Sequence, residues 1–394
     1  MSLISLLHKN NRKTLFTTPS HGQRFFIFNK FRQFYKYDIS ETETHDPVKA
    51  LLQAQERAKK IYKIKNTYFL TNGSTSGIIA SVLACTQKGD KVLVWRNAHP
   101  CHLNAVKLAG CEPVFYDLPI DKEWGIPAKT EVEYVAKQLG GYAAKLGQTP
   151  SPDGEGWNGV ILSDNCENSQ GEQPDTVLSP YRPIALSPDK NNIKAIIVTS
   201  PTYEGIVSDI RALKDVCAKN GAYLIVDEAH GALYPFSDKL PESAVNIADF
   251  TIQSLHKTAG GLNPTALLHV NCDLDAQNAL NMINTTSPSY PLLASIEANI
   301  NYLNSKKGRK KLDELIENIK ALRAECPDIE FGGDDITKIL IKKEGLSGFE
   351  MSEKLFDDFG IEDEKTNEVS TMLLTGIGTT KEKLERLKKA LKRM

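Results

Sequence analysis

The stretch Phe250-Thr251-Ile252-Gln253-Ser254-Leu255-His256-Lys257 decides how the chain is read. A short strand, Phe250 to Gln253, runs into a turn that delivers Ser254, His256 and Lys257. Thirty positions before Lys257 stands Asp227, at the end of the apolar run Tyr223-Leu224-Ile225-Val226 and ahead of Glu228-Ala229-His230. A run this short and this apolar reads as a strand buried on both faces. Earlier, Lys91-Val92-Leu93-Val94 is a similar strand, and Arg96-Asn97-Ala98-His99 follows it as a loop. Earlier still, the strand Tyr68-Phe69-Leu70 precedes Asn72-Gly73-Ser74-Thr75-Ser76-Gly77. That turn opens a helix through Ile78, Ile79, Val82 and Leu83, expected to end at Gly89.

Working outward, a helix starts with Pro47 at its first position, carried by Val48, Leu51, Leu52, Ala54, Ala58 and Ile61. Val114 to Tyr116, Lys194 to Val198 and Ala266 to Val270 read as further strands. Between Lys194–Val198 and Tyr223–Val226 lies a helix through Ile210, Leu213, Val216 and Cys217, closing at Asn220-Gly221. Strands alternating with helices imply an α/β fold with a mostly parallel central sheet covered on both faces. After about Ser287 the rhythm changes. One or two helices over 293–325 lead to Ile336–Ile341, which alternates like a strand with one wet face. A helix from Met351 to Phe359, the strand Met372-Leu373-Leu374 and a helix from Lys381 to Lys392 complete a small α+β domain. The domains expected are an N-terminal arm over 1–45, rich in aromatics from Phe25 to Tyr37, a large domain over 46–286 and a small domain over 287–394. Residues about 140–190, rich in Gly, Pro, Ser, Asp and Asn, read as a surface insertion placed like a lid, with a short strand at Val160-Ile161-Leu162.

Composition narrows the function. With 48 basic and 49 acidic residues and a net charge of −1, nothing supplies the basic footprint of a nucleic-acid or membrane-surface protein. The Lys-rich segment from Lys381 to Arg393 alternates with Glu and apolar residues, as a solvated helix face does. No apolar run is long enough to span a membrane, and Met1 to Leu7 is too short and lacks the basic leader of a signal peptide. Seven cysteines lie scattered, with no C-x-x-C and no zinc spacing. An odd count of scattered thiols points to a reducing compartment, the cytoplasm.

Order and spacing carry the chemistry. A Gly/Ser/Thr turn at a helix N-terminus offers backbone N–H groups and hydroxyls to an anion. An acid ends one strand, and a lysine preceded by His and Ser follows another. Pyridoxal phosphate (PLP) requires these features: an amine to form a Schiff base (Lys257), an anion to keep the pyridine nitrogen protonated (Asp227) and donors for the phosphate (Ser74, Thr75, Ser254, His256). His99 would stack on one ring face and the Ala229 methyl would pack on the other. Each piece alone has a plainer reading: Asp227 as a cap, Lys257 as a surface lysine, His99, His230 and His256 as structural histidines. A Ser-His-Asp hydrolase would use the same residue types, but the chain has no G-x-S-x-G elbow. A metal site at Asp227-Glu228 with His230 and His256 lacks an i, i+4 ligand pair.

From Pro19 to Thr379 the chain resembles the Orn/Lys/Arg decarboxylase family, PLP enzymes with the aspartate-aminotransferase-like fold. The matching segments include Thr71 to Ser76, Gly89 to Val94, Arg96 to His99, Thr199 to Gly205, Val226 to Gly231, Ser254 to Lys257, Thr285 to Tyr290 and Leu373 to Thr380. The resemblance implies Lys257 as the Schiff-base lysine, Asp227 as the pyridinium partner and His99 stacked on the ring, with phosphate held by Ser74, Thr75, Ser254 and His256. It also implies that Thr286 and Ser287 reach the PLP of a second subunit, hence a homodimer with shared sites. The activity it implies is decarboxylation of arginine, lysine or ornithine, with transamination, aldol cleavage or oxidation as the alternative on the same fold. The chain departs from many members in carrying Pro19-Ser20-His21-Gly22 where they have P-G-H-K, and Leu262-Asn263-Pro264-Thr265 after the lysine. It leaves open which acids read the substrate, with Glu204, Glu228 and the acids of the 140–190 insertion as candidates.

Overall fold

The computed structural model describes residues 2–10, 37–38, 47–141 and 193–394. Its centre is a seven-stranded sheet. From one edge the strands are Asn66–Leu70, Ala266–Val270, Phe250–Ser254, Tyr223–Asp227, Ile193–Thr199, Lys91–Trp95 and Glu112–Tyr116. Neighbours from Phe250–Ser254 to Glu112–Tyr116 pair in parallel. Ala266–Val270 is antiparallel to both of its neighbours, so it alone is reversed and Asn66–Leu70 points with the rest.

The strands divide their side chains by the two-residue period. Val92, Val94, Ile197, Ile225 and Ile252 face one way, onto Ile78 and Val82 of helix Gly73–Cys85, Ala105 of Pro100–Leu108 and Leu280 of Gln277–Ile283. Leu93, Ile196, Val198, Leu224 and Val226 face the other, onto Val135 of Val132–Gly141 and Leu213 of Ile210–Lys219. With both faces covered, near-continuous apolar strands are what a parallel sheet requires. Gly77 lets the first of these helices lie flush: a Cβ there would stand 2.9 Å from Leu70 Cδ1 and 3.0 Å from Ile252 Cγ2. That helix stops at Cys85 rather than at Gly89, because the Thr86 hydroxyl turns back to the Val82 carbonyl at 2.7 Å.

Six strands therefore end on one edge of the sheet, where ligands of open α/β sheets bind. Asn72-Gly73, Arg96 to His99, Ser200 to Gly205, Asp227 to His230 and Leu255 to Lys257 all follow strands ending there.

A second sheet, antiparallel, has the order Glu330–Gly332, Lys338–Lys342, Thr371–Leu374, Lys365–Thr366. Helix Gly348–Phe359 beside it is bounded by a Ser347/Glu350 capping box and by Gly360 in the left-handed region. The expectation of a wet face along Ile336–Ile341 fails: Lys338, Ile339, Leu340 and Ile341 are all buried. Lys338 goes inside because Asp335 lies three residues earlier, and its Nζ sits 2.7 Å from Asp335 Oδ2. The 293–325 region is two helices, Tyr290–Asn304 and Lys306–Ala324, the second capped by Ser305. Tyr290–Asn304 lies against Leu3–Asn10, Pro47–Tyr62 and the turn after Ser254. Its buried Glu297 accepts from the Leu3 amide at 2.8 Å and from Arg57 Nη2 at 2.6 Å.

Of the expected arm, only Leu3–Asn10 and residues 37–38 are described, and Leu3, Leu6 and Leu7 are buried. The aromatic stretch from Phe25 to Tyr35, the 142–190 part of the insertion and the strand Val160-Ile161-Leu162 lie outside the described residues. No helix among the described residues is long and apolar enough to cross a membrane.

Candidate active site

Strand Phe250–Ser254, buried along its whole length, ends in a single π-type turn, Leu255–Ala259, that carries Lys257. Gly260, at φ 84°, closes the turn. Asn299 Nδ2 pins it from helix Tyr290–Asn304 through the Ala259 carbonyl at 2.6 Å. π-Turns concentrate at functional sites. Lys257 Nζ lies 2.9 Å from His230 Nε2 and 5.9 Å from the centroid of the Tyr203 ring. Burial pulls the Lys257 amine below its ordinary value, with Asp227 opposing. A lysine lowered in this way spends more time as the free, nucleophilic amine. Burial also holds His230 well below its ordinary value, with Lys257 adding to the effect. The His230 ring packs 4.5 Å from that of Tyr203.

Asp227 ends strand Tyr223–Asp227. His102 Nε2 stands 2.8 Å from its Oδ2, and the Ala229 amide donates to Oδ1 at 3.1 Å. Burial would raise the Asp227 carboxyl; the His102 hydrogen bond and charge, followed by Lys257, outweigh it and hold the group below its usual range. Asp227 is thus a buried anion on the lysine's side of the sheet edge.

His99 caps helix Pro100–Leu108, its Nδ1 accepting the Cys101 amide at 3.3 Å, and its ring is exposed. Burial lowers its pKa. Across the site, Leu70 and Ser254 both pair with Ala266, so the turn after Leu70 arrives beside the Lys257 turn. Gly73 takes φ +74° at the start of Gly73–Cys85, and Asn72 makes no side-chain cap. The first-turn N–H groups are left for an anion. Ser74 is half-buried and Thr75 exposed, while Ser76 turns back to the Gly73 carbonyl. Ser254 Oγ is buried with no hydrogen-bond partner among the described residues. His256 Nδ1 meets the Thr265 carbonyl at 3.0 Å. A buried orphan hydroxyl beside an uncapped helix start, a buried anion and a lowered lysine are together the donors and charges that PLP needs.

Thr286 and Ser287 are exposed on the loop before Tyr290, and this loop meets the turn after Leu70 of its own chain where Asn72 Nδ2 donates to Asn284 Oδ1 at 3.4 Å. Of the acids considered as substrate readers, the two among the described residues are otherwise engaged. Glu228 is buried, taking the Ala244 amide, the Ser243 hydroxyl and Gln253 Nε2. Glu204 pairs with Lys365 at 2.5 Å. Among the described residues, a further acid, Glu364, accepts from the Tyr203 hydroxyl and acts on the charge of Lys257. Sequence reasoning missed Glu364, Tyr203 and His102. Tyr203 lies in the matching segment Thr199 to Gly205 without a role assigned to it, and His102 stands three residues past His99, one helical turn on.

Among the described residues, the one group of three possible metal ligands is Cys101, His102 and Asp227, without His230 or His256. In it, His102 Nε2 and Asp227 Oδ2 are already bonded to each other.

The family pattern "Orn/Lys/Arg decarboxylase, major domain" matches residues 5–150 and 179–343. The uncharacterized protein YaaO of Bacillus subtilis is 27% identical over 330 residues, covering 80% of this chain and 59% of its own. Arginine decarboxylase of Bacillus subtilis is 26% identical over 414 residues, covering 98% of this chain and 74% of its own. Among solved structures, Francisella novicida lysine decarboxylase LdcF superposes with a TM-score of 0.76 at 19% identity, covering 99% of this chain and 59% of that one. The likeness to LdcF shows the fold, and the chain spans about three-fifths of the length of LdcF and of YaaO.

Proposed function

This chain belongs to the Orn/Lys/Arg decarboxylase family, and from that premise we propose that it removes the α-carboxylate of a basic amino acid (arginine, lysine or ornithine) using PLP bound at Lys257. The observation that carries the proposal is the convergence on one sheet edge of Lys257, bonded to His230, and of the buried Asp227 anion. When bound, PLP supplies an electron sink for the pair left behind as CO₂ departs.

The chain's own residues do the rest. Lys257 would bind the cofactor through its amine, and Asp227, kept ionised, would face the ring nitrogen. His99 would cover one ring face and the Ala229 methyl the other. Ser74, Thr75, Ser254 and His256, with the free N–H groups that follow Gly73, hold the phosphate. Thr286 and Ser287 would reach the cofactor of a second copy, as the family resemblance implies, which would make the working unit a homodimer. His230, in hydrogen-bond contact with Lys257 Nζ, takes and returns a proton at that atom. Tyr203 and His230 pack together over the lysine and keep water from it. Glu364, oriented by the Tyr203 hydroxyl, receives the distal ammonium or guanidinium of the substrate.

The test is CO₂ and amine release by the purified protein with PLP, across arginine, lysine, ornithine and a panel of neutral and acidic amino acids. Release from a basic amino acid is expected. Release confined to neutral or acidic ones would overturn the substrate class. Turnover of amino acids without CO₂ would overturn the reaction and leave the cofactor assignment standing.

A further inference from the structure

His102 performs none of the steps just described, yet it is the side chain that grips Asp227. It is fully buried on the first turn of Pro100–Leu108, and its amide bonds to the His99 carbonyl at 3.0 Å. One helix start therefore supplies both the histidine at the site's surface and the one beneath it. A carboxylate can only accept, so the proton in the 2.8 Å contact with Asp227 Oδ2 sits on His102 Nε2. Nδ1 has no hydrogen-bond partner among the described residues. A buried imidazole with one nitrogen unsatisfied carries a desolvation penalty that an aliphatic side chain would avoid. His102 is thus a poor core residue whose one polar contact is with the anion of the site.

We propose that His102 is a positioning residue for Asp227: by donating from Nε2 it fixes the plane of the carboxylate and keeps it ionised toward the ring nitrogen of the cofactor. The proposal rests on the reading of the site as a PLP site. The groups that face Asp227 come from three directions. His99, Cys101 and His102 belong to helix Pro100–Leu108 and its cap, Lys257 to the turn after Ser254, and the Ala229 amide and His230 to its own loop. Burial pushes Asp227 toward its neutral form, and the His102 hydrogen bond is the largest influence against it. Without that donor, Asp227 takes up a proton at higher pH and the ring nitrogen loses its counter-ion.

The test compares the full-length wild-type protein with His102→Leu, which fills the space without a donor, and with His102→Gln, whose side-chain amide restores an N–H near the position of Nε2. Three quantities are read: PLP affinity of the cofactor-free protein, the pH titration of the visible absorbance of bound PLP, and kcat and KM for the amino acid that the wild type decarboxylates. For His102→Leu we expect PLP affinity and kcat to fall about 10- to 100-fold, the range of one hydrogen bond to a charged group. KM should change little and the acid limb of the pH profile should move to higher pH. His102→Gln should recover most of each change. Wild-type affinity, titration and kcat in His102→Leu would overturn the proposal. So would His102→Gln as impaired as His102→Leu with thermal unfolding unchanged, because donation would then not be what matters. A wild-type protein that forms no lysine-linked PLP adduct would instead sink the cofactor reading itself.

Discussion

Substituting Lys338 by Met strands a charge in the interior. Lys338 and Asp335 are both fully inaccessible and 2.7 Å apart. Every Lys338 N–H is used: on Asp335 Oδ2, on the His230 carbonyl at 3.1 Å and on Thr337 Oγ1 at 3.2 Å. Asp335 also accepts the Tyr234 hydroxyl at 2.9 Å, the Thr337 amide at 2.8 Å and the Thr337 hydroxyl at 2.7 Å. Removing one member of such a pair typically costs about 3–5 kcal/mol, whereas replacing both with apolar side chains is often neutral. We expect Lys338→Met to lose about that much in urea unfolding with an unchanged m-value, and Lys338→Met with Asp335→Leu to recover part of it, the Tyr234 hydroxyl and the Thr337 amide being left without their acceptor. Burial would raise Asp335, but Lys338 and the Thr337 bonds hold it below the usual carboxylate range. A depressed folded value means that the stabilisation is fully present above the unfolded value of about 3.9 and is lost as pH falls through the folded one. Because Lys338 also holds the His230 carbonyl, the single variant should loosen the His230–Lys257 contact. A loss below about 1 kcal/mol for Lys338→Met, against the range expected for a buried pair, or a double variant as unstable as the two singles summed, would refute this reasoning.

Other outcomes follow from neighbouring parts of the structure. Gly77→Ala places a methyl 2.9 Å from Leu70 Cδ1; it should destabilise by about 1–3 kcal/mol and weaken PLP binding by lifting the phosphate turn from Ser254, and an unchanged PLP titration would count against that turn. Burial lifts the Glu228 carboxyl to about 7 against its three donors. An acid raised in the folded state binds its proton more tightly there, so its contribution to stability declines as pH rises from 4.5 to about 7. Glu228→Gln should flatten that slope in pH-dependent unfolding, and a slope left intact would remove the assignment. Glu364→Gln should raise KM for the basic substrate about 10-fold or more while leaving PLP affinity alone; an unchanged KM would mean that another group reads the distal cation.

The backbone of this account was legible because strand and phosphate-turn signals are local. Tyr223–Asp227 and Phe250–Ser254 are apolar runs with their functional residue at the end, and Gly73 marks a turn wherever it occurs. The reversal of Ala266–Val270 was not legible, since its composition matches that of the parallel strands and only its antiparallel pairing with Phe250–Ser254 and Asn66–Leu70 reveals it. Lys338 misled for a related reason: a lysine in an alternating strand signals solvent unless the acid that accompanies it inside is recognised, and Asp335 lies just ahead of the alternating run. His102 and Glu364 are long-range. His102 meets Asp227 across 125 positions and Tyr203 meets Glu364 across 161, separations over which periodicity carries no information.

The claim on which everything else depends is that Lys257 holds the cofactor. Reduction of the protein–PLP complex with borohydride, followed by mass mapping of its peptides, tests it directly. The account predicts one phosphopyridoxyl group, on Lys257, with both the adduct and the visible absorbance lost in Lys257→Ala. An adduct on another lysine such as Lys365, or an unaltered absorbance in Lys257→Ala, would contradict it.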